Sequence, residues 1–182
     1  VTQTKEVARV SWFQLSVMLV CAVGSGLFYY LMELSPRSPK KLPVRGGGEF
    51  HMPDVHFHNT PEALYAIFEQ AGEEGRPRMR RYWAFDFGFI LCFLGVMLAV
   101  DWNVIGKAYA LYPWMNAVAI ARAAVDVVED LLFLSLLRGW PSRKIGLAKA
   151  AGVATSAKFL LLYAWVGMLF FKLFLSAFHI GA

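Results

Sequence analysis

Long apolar runs dominate this chain. They cover Val10 to Leu34, Trp83 to Val100, Tyr112 to Leu137 and Ala148 to Phe178. Each reaches the roughly 18 to 20 residues that a helix needs to cross a hydrocarbon core about 30 Å thick. The pattern predicts an all-α membrane protein with four transmembrane helices. The first run is about twice as long as a secretory h-region and ends without a small-residue cleavage site, so it reads as a span. Between the first two runs the pattern changes twice. Residues 35–59 hold Pro36, Pro39, Pro43, Pro53 and the run Gly46-Gly47-Gly48, which predicts an extended strap across a neighbouring surface. Thr60 as N-cap and Pro61 at the first helical position then open a short amphipathic helix, with Leu64, Ile67, Phe68 and Ala71 at helical spacing. Glu62, Glu69 and Glu73 lie on its other face, which places it on the membrane surface or, given those acids, against a partner. The expected organisation is an N-terminal transmembrane helix (1–34), an inner strap (35–59), the amphipathic helix with a basic cluster (60–81) and a three-helix transmembrane unit (82–182).

Composition agrees with this reading. Of 182 residues, 58% are apolar, 15% aromatic and 17% charged, whereas soluble domains carry about a quarter charged residues. Cys21 and Cys92 both fall inside spans, where they read as small apolar packing groups. The basic residues are unevenly shared. Arg37, Lys40, Lys41, Arg45, Arg76, Arg78, Arg80 and Arg81 follow the first span, and Arg138, Arg143, Lys144 and Lys149 join the third to the fourth. Only Lys5, Arg9, Lys107 and Lys172 fall on the other side. The basic loops are therefore expected in the cytoplasm, matrix or stroma, with both termini on the opposite face. Arg76, Arg78, Arg80 and Arg81, joined by Arg143 and Lys144, form a rim at headgroup depth. Each basic residue there is worth about 1 kcal/mol toward anionic lipid. An orientation signal without a dedicated ligand is the plainer account of the same cluster.

Ionisable residues also occur within the spans: Asp86 in the second, Arg122, Asp126, Glu129 and Asp130 in the third, Lys158 in the fourth. Each costs roughly 2.5 to 3.5 kcal/mol at bilayer depth, so such groups face the bundle interior and pair. Spacings of three and four put the residues of the third span on one side of their helix. Counted from the basic inner ends, Asp130, Lys158 and Asp86 lie in the inner half of the membrane. Lys158 is expected to reach Asp130 or Glu129, and Arg122 to pair with Asp126 along their own helix. Four acids against two bases leave at least one carboxyl to be protonated, hydrogen-bonded or hydrated. Ala148, Gly152 and Ser156, with Ala151 and Thr155, form stripes of small residues that suit a close helix pair.

His51, Asp54, His56 and His58 are the chemically suggestive residues of the strap. Zinc or copper ligation is conceivable for such a set, but no cysteine follows and the spacing fits no standard site. Hydrogen bonding of the strap to a neighbour through its histidines is the simpler expectation, with no metal and no cofactor beyond a phospholipid such as cardiolipin.

Gly75-Arg76, Tyr82, Asp86, the motif Asp126-x-x-Glu129-Asp130, Pro141 and the motif Thr155-x-x-Lys158 together resemble an uncharacterised family of small four-span membrane proteins. That family carries Asp-x-x-Glu-Asn followed by Thr-x-x-Lys. The resemblance covers about residues 60–172 and departs at Asp130, where the family has Asn, and at Pro77, which is inserted. It implies a fold without an activity.

Three functional readings follow. In the first, the charged cluster is an internal ion-pair network in an accessory subunit of an energy-transducing complex such as a respiratory complex or ATP synthase, with anionic lipid and other membrane subunits as partners. In the second, the carboxylates and lysine serve an intramembrane enzyme or a proton or lipid transporter. In the third, the basic rim and aromatic spans bind lipid. The first is favoured, because no nucleophile elbow, phosphate loop or dinucleotide fingerprint occurs, and Gly46-Gly47-Gly48 lacks the context of one. No intramembrane histidine pair suits haem, since His179 lies at the outer end. Nothing suggests nucleic acid. A chain that opens on Val1 fits a trimmed precursor, which favours the mitochondrial inner membrane, with the termini in the intermembrane space, over a thylakoid or bacterial inner membrane.

Overall fold

Apolar runs of this length have one way to satisfy their backbone in lipid, and the chain takes it: the backbone bonds to itself as helix. A computed structural model of the chain describes residues 12–43, 50–106 and 109–178. Lys5, Arg9, Arg45, the Gly46-Gly47-Gly48 run, Lys107 and His179 lie outside the described residues. Four α-helices carry the fold, α1 (Trp12–Tyr29), α2 (Pro61–Val100), α3 (Tyr112–Arg138) and α4 (Ile145–Ala177), and there is no strand among the described residues. Three segments, Trp12–Lys41, Pro61–Ile105 and Ile145–Ala177, are long and apolar enough to cross a membrane. The third helix has the length, 27 residues, but Arg122, Asp126, Glu129 and Asp130 lower its hydropathy. Both α1 and α2 end in a π turn, at Tyr30–Leu34 and Asp101–Ile105.

α3 packs mainly on α4, α1 mainly on α2, and α2 bridges α1 and α3. The α1–α2 contact is made close by glycine. A Cβ on Gly24 would stand 2.6 Å from Cys92 Sγ, and one on Gly95 would stand 2.4 Å from Cys21 Sγ. Gly88 likewise receives the Phe28 ring. Each cysteine thus fills the space above a facing glycine, the packing role its size suggests. The hydroxyls of Ser16 and Ser25 donate to the carbonyls of Trp12 (2.8 Å) and Cys21 (2.9 Å), which satisfies them within their own helix.

The segment between α1 and α2 departs from expectation. The short helix at 60–81 does not stand apart from the second span: one helix runs from Pro61 to Val100, interrupted only at Gly72, whose φ of 63° and ψ of −164° are non-helical. Thr60 caps its start, accepting from the Ala63 N–H at 3.2 Å. Pro77 falls five residues beyond Gly72, near the start of the second segment, so its missing N–H removes one of the first bonds there. Leu64, Tyr65, Phe68 and Ala71 are buried with Met79, Trp83, Phe133, Leu136 and Ala148. The apolar face of this segment therefore docks on the chain's own bundle, at the end that bears the α3–α4 turn. The strap does the same, with Phe50 and Met52 in that core and short 3-10 turns at Pro39–Lys41 and Pro53–Val55.

Candidate functional site

Each of α2, α3 and α4 carries three zones in register. Toward the end that bears the α3–α4 turn lies an aromatic core of Met79, Trp83, Phe133, Leu136, Ala148 and Ala151. Toward the opposite end lies a second apolar core of Met97, Met115, Ala119 and Trp165. Between them fall Asp86, Arg122, Asp126, Glu129, Asp130, Thr155 and Lys158, all buried. A polar layer sealed above and below by apolar packing makes its charges interact with one another rather than with water.

Lys158 is the hub of this layer. Its Nζ lies 3.0 Å from Asp126 Oδ1 and also pairs with Glu129. The other Asp126 oxygen, Oδ2, accepts from Arg122 Nη2 at 2.7 Å. Glu129 accepts in addition from the Thr155 hydroxyl. Arg122 lies over the Phe93 ring, 4.9 Å from its centroid, which engages part of the guanidinium left unbonded at Nε and Nη1. Both oxygens of Asp130 are buried without a hydrogen-bond partner. Asp130 is within electrostatic reach of Asp86, Asp54, Asp126 and Lys158. Of the expected pairs, Arg122–Asp126 and Lys158–Glu129 form. Lys158 turns to Asp126 instead of Asp130, because Asp126 and Glu129, three residues apart, both flank the one ammonium.

The strap completes the layer. Asp54 is buried and within electrostatic reach of Lys158 and Asp126. The Tyr82 hydroxyl lies 2.9 Å from Glu33 Oε1 and 3.2 Å from Asp54 Oδ2, so its proton is shared between two carboxyls. Glu33 pairs in turn with Lys40. Burial pushes the Asp54 carboxyl above its ordinary value, with Lys158 opposing that shift. Two backbone contacts hold the strap against α4. The Phe57 carbonyl accepts from the Ser156 hydroxyl at 2.5 Å, and a Cβ on Gly152 would stand 2.3 Å from the Asn59 oxygen. The small-residue stripe of α4 therefore serves two neighbours: Ala151 and Thr155 face the interior, while Gly152 and Ser156 admit the strap. Asn59 Nδ2 donates to the carbonyls of Pro53 (2.5 Å) and His56 (3.3 Å). His51, His56 and His58 are exposed, so the strap is held by Asp54, Asn59 and backbone rather than by histidines. Among the described residues no group of three metal-ligating side chains converges.

Glu33 is a site residue that sequence reasoning did not single out, and Asp54 and Tyr82 were singled out only beside the strap histidines and in the resemblance, not for this layer. The signal for Asp54 lay inside the segment read for its histidines, as the one acid next to a proline in an otherwise neutral stretch. Asp101 is a further buried acid, at the opposite end of the bundle, where its Oδ1 accepts from Trp165 Nε1 at 3.0 Å. The basic rim divides. Arg76 lies over Trp140, while Arg143 lies over Tyr65 and pairs with Glu69. The Lys144 backbone N–H donates to the Tyr65 hydroxyl at 2.5 Å, and Arg80 is exposed. Arg78 and Arg81 line a groove together with Arg37.

Chemically, the layer binds one ammonium and one guanidinium tightly and retains carboxyls in excess. No protein-family model, curated protein or solved structure matches this chain.

Proposed function

We propose that the chain is a four-span membrane protein whose polar layer is a structural fastener, and that it serves as an accessory subunit of a larger membrane complex. α3 is the fourth span in this reading, with its charges turned into the bundle and its length sufficient for the bilayer. The observation that carries the proposal is the closure of the layer. Lys158 is held by two α3 carboxyls, and the ionisable side chains around it are buried, Glu129 and Asp130 completely so (0% exposed). A site so filled offers a substrate no room, while removal of Lys158 would leave Asp126 and Glu129 buried with one cation fewer. The apolar surface of α1, which has no buried residue, supplies an area for a neighbouring subunit to cover. Energy-transducing membranes, the mitochondrial inner membrane first among them, are the setting this reading favours, with both termini on the outer face and cardiolipin-like lipid at the basic inner rim. Solubilisation in mild detergent, followed by a native gel and mass spectrometry, tests it: the chain should migrate within a large assembly.

A second reading has its own observation. Asp130 and Asp54 keep carboxyl oxygens that nothing satisfies, which suits a proton-handling site in a transporter or enzyme. Exchange of Asp126 for Asn and Glu129 for Gln separates the two. The structural reading expects lost assembly, and the proton-handling reading expects an intact assembly with lost proton movement.

A further inference from the structure

We propose that the groove between the C-terminal end of α1 and the start of the apolar part of α2 is a binding site for the phosphate of an anionic phospholipid. The groove measures about 290 Å³ and is lined by Arg37, Arg78 and Arg81 together with Tyr30, Met32 and Phe85 among others. Three arginines from two separate elements, the strap and α2, line this one cavity. Among the described residues no carboxylate pairs with any of them. Arg81 lies over the Phe85 ring at 5.3 Å, which fixes its direction. Elsewhere on the rim Arg143 is matched by Glu69, and Arg76 is stacked on Trp140 outside this cavity. Glu33, in the π turn that follows α1, is already matched by Lys40 and Tyr82. Three unmatched guanidiniums around a small cavity are complementary to an anion with several acceptor oxygens, and a phosphate takes arginine in a bidentate manner.

The walls select the source of that phosphate. Tyr30, Met32 and Phe85 are apolar or aromatic, and Leu27 near the end of α1, with Tyr30 and Leu34 in the π turn that follows it, are exposed apolar side chains beside the groove in sequence. A free phosphate would gain nothing from that surface, whereas a phospholipid lays its acyl chains along it. The inference rests on the reading that α1 and α2 cross the membrane, with this end at headgroup depth. It does not depend on the chain belonging to a complex.

The test is native mass spectrometry of the purified chain in mild detergent, titrated separately with cardiolipin, phosphatidylglycerol, phosphatidylcholine and inorganic phosphate. The expected result is preferential retention of the two anionic lipids over phosphatidylcholine, unaffected by millimolar phosphate. Arg37→Gln/Arg78→Gln/Arg81→Gln should weaken that binding roughly a hundredfold, while Lys172→Gln, at the opposite end of the bundle over Tyr109, leaves it unchanged. Equal retention of anionic and zwitterionic lipid by the native chain would overturn the proposal, whether or not the triple variant folds. Displacement of lipid by inorganic phosphate would also overturn it, by showing a free-anion site. Unchanged lipid binding in a folded triple variant, or in Arg78→Gln and Arg81→Gln singly, would do so as well.

Discussion

Lys158 holds two acids, so its replacement exposes the logic of the layer. Lys158→Met should leave Asp126 and Glu129 buried with one cation fewer and cost about 3 to 5 kcal/mol, read as a lowered thermal midpoint in detergent. Asp130→Asn should be neutral or stabilising by the same measurement, because a buried carboxyl without a cation is exchanged for a neutral amide of the same shape. A large loss of stability there would mean that the charge itself is needed. Asp54 gives the pH dependence. Its folded-state value is raised by burial, so the folded protein binds more protons than the unfolded one. The contribution of Asp54 to stability is therefore greatest near or below the ordinary carboxyl value of about 4 and is lost as pH rises toward the raised value. Hydrogen exchange of the strap, corrected for intrinsic rate, should increase with pH in the native chain and lose that dependence in Asp54→Asn. The spacing of Arg122, Asp126, Glu129 and Asp130 was sufficient to place them on one face, since helical geometry alone decides that. The choice of Asp126 over Asp130 for Lys158 was not legible, because it depends on how α4 sits against α3.

Elements are joined here by glycines whose roles differ. Gly72 breaks α2 at φ 63° and ψ −164°, a conformation available to glycine and strained for other residues. Gly72→Ala meets no neighbour within 4 Å, so its expected cost of about 1 to 3 kcal/mol is purely conformational. Gly152 acts by space instead. Gly152→Ala would drive its Cβ against the Asn59 oxygen at 2.3 Å, and should loosen the strap, with increased proteolysis at residues 50–59 and the helices retained. An unchanged cleavage pattern would show that the strap is held by Phe50 and Met52 alone. Apart from the start of α2, helix limits were legible to within a few residues, because long apolar runs have few alternatives to helix. The irregular backbone of the strap was legible from its proline and glycine, but what it packs against was not, since the burial of Phe50, Met52, Asp54 and Asn59 depends on how the helices sit together.

At the scale of the molecule, three zones stacked along α2, α3 and α4 hold the bundle from within, while α1 attaches through cysteine and glycine pairs at its side. The strap and the helix from Pro61 to Ala71 pack on the chain itself. The largest exposed apolar surfaces are on α1 and on the C-terminal part of α4, where Phe170, Phe171 and Phe174 are exposed. The most direct test of the structural role is therefore a paired one. The native chain and the Asp126→Asn/Glu129→Gln variant are solubilised in mild detergent and run on a native gel, with mass spectrometry of the bands. The account predicts that the native chain is found within a large assembly and that the variant is missing from it. A native chain that is stable as an isolated monomer or homodimer would contradict it.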